Sequence, residues 1–98
     1  MSDFIQIMEI RTTKLDDMLD LERRWEKATE GKRTLRRQIL TRDRSDPSLY
    51  RVFAFFDSHE SAMVNSTLPE TQLFSAEFDS VADGPIRFTD LDVIEDRH

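Results

Sequence analysis

Hydrophobic positions recur along this chain with two periods, one of about two residues and one of three to four. Phe4, Ile5, Ile7, Met8 and Ile10 fall in a stretch from 4 to 11 rich in β-branched and aromatic residues. Both of its faces are partly apolar, which predicts a strand covered on both sides. Leu15, Met18, Leu21, Trp25 and Ala28 then return every three or four positions, the apolar stripe of an amphipathic helix over about 14–30. Thr12-Thr13 offers its N-cap, Asp16 and Asp17 suit the exposed N–H groups of a first turn, and Gly31 suits its end. From 34 to 43 Leu35, Arg37, Ile39 and Thr41 alternate with Arg36, Gln38, Leu40 and Arg42, a two-faced strand whose charges predict an edge or a wet face. Ser45-Asp46-Pro47-Ser48 is a turn cluster, and the run from Tyr50 to Phe56 is the most strand-like of the chain, so the two strands form a hairpin.

Asp57-Ser58 caps a second helix through Glu60, Ala62 and Met63. Pro69 interrupts it, because proline inside a helix removes a hydrogen bond, and the helix restarts with Pro69 in its first position. It continues through Leu73, Phe74, Phe78 and Val81 to Asp83-Gly84-Pro85, after which 86–94 is the last strand and 95–98 a frayed tail. The order is strand, helix, strand, strand, helix, strand. The predicted fold is α+β and ferredoxin-like, a four-stranded antiparallel sheet with both helices on one face, forming one domain over 1–98. Phe53 and Phe55 fall on one face of the central strand, and Val52, Ala54 and Phe56 on the other. The helices cover only one of these apolar faces, so the other predicts a homodimer.

Composition narrows the function classes. A chain of 98 residues builds one core and no deep private pocket, so a sizeable cavity is more naturally completed by a second copy. With no cysteine and two histidines, thiol nucleophiles, disulfides and a transition-metal site are not expected. Around Met1-Ser2-Asp3-Phe4 no basic stretch leads into an apolar run, and no apolar run approaches the roughly 20 residues of a membrane span. The expectation is a cytoplasmic protein with no membrane association. A net charge of −6 argues against nucleic acid as a partner. The charge is uneven, with ten Lys and Arg against four acids over 23–51 and two against ten over 52–98, a pattern of solvated faces, of complementary charge across a subunit interface or of an anion site.

The stretch Phe55-Phe56-Asp57-Ser58-His59-Glu60-Ser61-Ala62-Met63-Val64-Asn65-Ser66-Thr67-Leu68-Pro69 resembles the dimeric α/β-barrel proteins of the antibiotic biosynthesis monooxygenase (ABM)-like superfamily. There a strand ending in apolar residues leads to a Ser-x-Glu-x-Ala helix start, a His, a short break and a second helical half. Asn65 stands where that His is common, and Gly84-Pro85 followed by Phe88 resembles the entry to the last strand. The resemblance implies a small homodimeric barrel that binds a small, largely apolar molecule, with cofactor-independent monooxygenase-like oxidation as the activity such a cavity supports. Fold does not carry catalysis with it, so enzyme status stays open. The haem-degrading branch needs an iron-ligating His on the second helix, whereas this chain has only His59 and His98, and its one Trp, Trp25, falls on the stripe of the first helix.

The candidates for chemistry follow. His59 is a near-neutral base at a helix start, and Asn65 an amide at a helix break that can hold a substrate oxygen; these are the catalytic candidates. Arg36, Gln38, Tyr50, Phe53 and Phe55 are the ligand-binding candidates, and no metal or cofactor is expected. Each has a plainer structural reading, as a solvated first-turn histidine, a structural amide or an interface aromatic. Two other function classes compete. One is a non-catalytic dimerisation or regulatory domain with a dry interface. The other is a single-stranded RNA-binding domain, since Arg51-Val52-Phe53-Ala54-Phe55-Phe56 resembles an RNA-stacking strand. Val52 in place of glycine, Gln6 in the stacking position of the first strand and the acidic charge oppose that last reading.

Overall fold

The computed structural model describes residues 3–98; Met1 and Ser2, where the N-terminal reading begins, lie outside them. The chain runs β1 (Phe4–Arg11), α1 (Leu15–Ala28), β2 (Arg37–Arg42), β3 (Leu49–Phe56), α2 (His59–Thr67), α3 (Pro69–Asp79) and β4 (Arg87–Asp92). The strands form one antiparallel sheet in the order β2-β3-β1-β4, the α+β ferredoxin-like arrangement expected from the element order, with the second helix in two pieces. Among the described residues no helix is long and apolar enough to cross a membrane.

Register decides which side chains share a face. Phe4, Gln6, Met8 and Ile10 lie opposite Phe56, Ala54, Val52 and Tyr50, and Gln38 and Leu40 of β2 lie opposite Ala54 and Val52. Of this set Phe4, Ile10, Tyr50, Val52 and Phe56 are buried, which marks it as the helix-side face. The other face carries Ile5 opposite Phe55 and Leu91, and Ile7 opposite Phe53 and Thr89, with Ile39 beyond Phe53. The sorting of Phe53 and Phe55 from Val52, Ala54 and Phe56 is therefore as the alternation predicts. Gln6, however, faces the helices. Ile5 and Ile7 occupy the positions of β1 that accompany Phe53 and Phe55.

The core is in two pieces. Ile10, Met18, Leu21, Tyr50, Phe78 and Val81 form the larger, and Phe4, Phe56 and Ala62 the smaller, with Leu35 and Ala54 packed against it. The α1 stripe buries Met18, Leu21 and Trp25, whereas Ala28 is exposed.

Several local details depart from the expected ones. Thr13 does not cap α1, whose first turn has no side-chain cap. Buried Thr12 accepts a hydrogen bond from the Lys14 N–H at 2.9 Å and donates to the Val81 carbonyl at 2.6 Å, fastening the start of α1 to the turn after α3. Val81 lies in that turn, beyond the end of α3 at Asp79. α1 ends at Ala28 because Thr29 folds its hydroxyl back on the Trp25 carbonyl at 2.7 Å, and Gly31 then takes a φ of 79°. β2 begins at Arg37, since Thr34 is drawn toward α2, its N–H donating to Asn65 Oδ1 at 3.2 Å and its hydroxyl to the Ser61 carbonyl at 2.6 Å. Ser58 does cap α2, accepting from the Ser61 N–H at 3.1 Å, and Pro69 does open α3.

Candidate functional site

Between the helix-side face of the sheet and the three helices lies a half-open cavity of about 400 Å3. Met8, Val52, Ala54 and Phe56 form its floor, and Trp25, Phe74 and Phe78 one wall. The wall is a run of aromatic rings, with centroids 5.9 Å apart for Trp25 and Phe74 and 4.8 Å for Phe74 and Phe78. Ile86 and Phe88 line the side beneath β4, and Phe88 is itself more than half exposed. The cavity draws on both core pieces, Phe78 and Met8 from the larger and Phe56, Leu35 and Ala54 from the smaller. It exists because small or flexible side chains face one another there. Ala54 sits between Gln6 and Gln38 on the floor, and α2 and α3 face them with Ser66, Thr71 and Ser75.

A few polar groups converge on this largely apolar space. Gln38 Nε2 donates to Glu22 Oε2 at 2.8 Å, and Glu22 Oε1 is enclosed with no hydrogen-bond partner among the described residues. Burial pushes the Glu22 carboxyl above its ordinary range, the Gln38 amide offsets part of that, and the Glu26 charge adds to it. Asn65, buried on α2, accepts the Thr34 N–H on its side-chain oxygen at 3.2 Å. That bond fixes the sense of the amide, so Nδ2 is the donor it has for a ligand. Gln6 Nε2 donates to Asp90 Oδ1 at 3.1 Å, and Trp25 Nε1 donates to Thr71 Oγ1 at 2.9 Å, which orients the indole. Among the described lining residues the only ionisable side chains are Glu22 and Asp79, and none is Lys, Arg or His.

Of the seven residues singled out from the sequence, Gln38 and Asn65 line this cavity. The other five lie elsewhere. His59 is exposed at the start of α2, its ring edge-on to Phe4 with centroids 5.3 Å apart. Arg36 lies at the rim of the sheet, paired with Asp3 at 3.3 Å and Asp57 at 3.0 Å. Tyr50 is in the larger core, its hydroxyl accepting from Arg42 Nε and Nη2 at 3.3 and 3.2 Å. Phe53 and Phe55 are half-buried on the sheet face turned away from the helices, with the Arg37 guanidinium 5.6 Å from the Phe55 ring centre.

Glu22 and Trp25 were not among those seven. Trp25 reads as core from its spacing, and it is core, with its ring also a cavity wall. Glu22 carried a legible signal. It stands four residues after Met18 and three before Trp25, so it lies on the apolar stripe of α1, where a carboxylate has no solvation reason to be.

Neither a protein-family model nor a curated protein sequence matches the chain. Solved structures do match in fold. A candidate antibiotic biosynthesis monooxygenase of Caulobacter crescentus superposes with a TM-score of 0.82 at 12% identity, over 96% of this chain and 92% of its own. A conserved protein of Methanosarcina mazei gives 0.80 at 8% identity, over 93% and 92%. SnoaB, a cofactor-independent oxygenase from Streptomyces nogalater solved as an asparagine-to-alanine variant, gives 0.78 at 9% identity, over 97% and 95%.

Proposed function

We propose, for a chain with the fold of the antibiotic biosynthesis monooxygenase superfamily, that the cavity beneath the helices takes a small, largely apolar molecule and supports its oxidation without a bound cofactor. The cavity carries this reading. Its volume of about 400 Å3 lies within the range of small-molecule sites, and its lining of aromatic and aliphatic side chains with a few amides suits a flat apolar ligand fixed by one or two polar atoms. Cofactor-free oxidation places the electron source in the substrate, which loses a proton and reduces oxygen as a stabilised carbanion. The protein then supplies a dry space, a base and donors for the developing oxyanion. Asn65 Nδ2 is such a donor.

A second copy of the chain fits the open sheet face, where Ile5, Ile7, Ile39, Phe53, Phe55 and Leu91 stand together. A non-catalytic dimerisation domain uses the same face but has no use for a cavity, so the cavity favours the ligand-binding reading. RNA stacking on Phe53 and Phe55 is less well supported, since β1 offers only Ile5 and Ile7 beside them and Arg37 already lies over Phe55. The test is thermal unfolding against a panel of neutral phenols, naphthols and aryl ketones, followed by oxygen uptake with those that bind. A ligand at about one hundred times its dissociation constant stabilises the native state by about 2.7 kcal/mol. If no member of the panel raises the midpoint, the ligand-binding reading fails. If members bind and none consumes oxygen, oxidation fails and binding stands.

A further inference from the structure

We infer that Glu22 is the proton-transfer residue of the cavity, receiving the proton of an acidic O–H or C–H on a neutral bound substrate, with Gln38 as its positioning residue. This rests on the ligand-binding reading above and names its chemistry. The bond between hydrogen and the substrate oxygen or carbon breaks, the proton goes to the Glu22 carboxylate, and the electron pair stays on the substrate as a phenolate or enolate.

The geometry points to this role in three ways. Glu22 lines the cavity from α1, beside the aromatic wall that would hold a flat ligand. Gln38 Nε2, at 2.8 Å, holds one carboxyl oxygen from the sheet side, while the other is enclosed without a partner. A buried oxygen left unpaired gives up its hydration with nothing in return, an arrangement retained more readily for function than for packing. Among the described residues no Lys, Arg or His lines the cavity, and none offsets the charge of Glu22. Glu26, one turn along α1, adds its negative charge to the surroundings of the carboxyl, and Asp79 from α3, the other ionisable side chain among the described lining residues, is also an acid. An uncompensated carboxylate among acids is a stronger base than a solvated one, and the same negative field disfavours an anionic substrate. Gln38 donates to the carboxylate and so steadies the charged, proton-accepting form. The other base considered from the sequence, His59, does not line the cavity.

β-Naphthol is a suitable probe. It is neutral in the ground state at and below neutral pH, and its excited state gives up its proton within its lifetime when an acceptor touches the hydroxyl, shifting the emission from the neutral to the anion band. With protein in excess, the wild type is expected to show anion-band emission that grows with pH through a midpoint above the ordinary carboxylate range. Glu22→Gln, nearly isosteric, is expected to bind the probe and lose the anion band. Gln38→Leu is expected to move the midpoint upward, a change that a purely structural role would not produce. Binding with the same band ratio in wild type and Glu22→Gln overturns the proton-transfer role and leaves the ligand cavity standing. Absence of naphthol binding to the wild type overturns the proton-transfer role, and absence of binding by every member of the panel overturns the ligand cavity as well. Should Glu22→Gln fail to fold, the pH titration of the wild-type emission decides alone, a ratio unchanged across the acid range counting against Glu22.

Discussion

Ala54→Leu probes the cavity from its floor. Ala54 lies opposite Gln6 on β1 and Gln38 on β2, and its methyl group borders the open space of about 400 Å3. Leucine adds three carbons there. At about 0.8 kcal/mol for each carbon removed from water, the gain is roughly 2.4 kcal/mol at most, and less where the cavity stays open to solvent. Ordering the longer side chain takes back about 0.5–1 kcal/mol. A net stabilisation of about 1 kcal/mol follows, against a loss of about 1–3 kcal/mol when the same carbons are forced into a close-packed core. The two cases differ in sign, so the experiment is decisive. For a domain of this size 1 kcal/mol moves the thermal midpoint by about 4–8 °C. The assay is thermal and urea unfolding of wild type and variant, with β-naphthol titrated into each. The expected outcome is a raised midpoint together with a naphthol affinity lowered about tenfold or more, as the new side chain occupies ligand space. A midpoint lowered by several degrees, with naphthol affinity unchanged, would refute the reasoning, because it would mean that Ala54 already meets packed atoms.

Three further outcomes are expected. Phe53→Glu places a charge at the centre of the open sheet face, opposite Ile7 and Ile39; light scattering should give a wild-type mass of twice 11.6 kDa and a variant mass of 11.6 kDa, and a monomeric wild type would remove the paired-sheet reading. The Glu22 carboxyl ionises at higher pH in the folded chain than in the unfolded one, so the stability it contributes is complete below the unfolded value of 4.5 and is lost as pH rises through the folded value; unfolding midpoints of Glu22→Gln measured across that window should lack this decline. The Arg51 guanidinium, 2.8 Å away, holds Asp43 below the ordinary carboxylate range, so its contribution is present above 3.8 and lost as pH falls through the folded value; Asp43→Asn keeps the acceptor for the Ser45 and Asp46 N–H groups, removes the ion pair, and should show a shallower acid-side decline.

The sequence alone was enough to determine the order of the elements, because each is written in local terms. Period-two alternation separates Phe53 and Phe55 from Val52, Ala54 and Phe56, and the three-four stripe of α1 marks Met18, Leu21 and Trp25 for burial. Ser58 and Pro69 mark a helix start and restart through backbone chemistry that needs no neighbours. The candidate site was legible only in part. Gln38 and Asn65 were found as amides on elements able to face a cavity, but His59, Arg36, Tyr50, Phe53 and Phe55 have equally suitable chemistry and point elsewhere. Which side of the sheet a residue of β1 faces depends on its register with β3, and Gln6 shows the consequence: pairing with Ala54 turns it toward the helices. Thr12 and Thr34 likewise take partners far along the chain, Val81 and Asn65, so no local pattern announces them. The pairing of Glu22 with Gln38 is of the same kind. A carboxylate on an apolar stripe is visible in the sequence, but only the packing of α1 over β2 decides whether it meets water, a cation or an amide at the edge of a cavity.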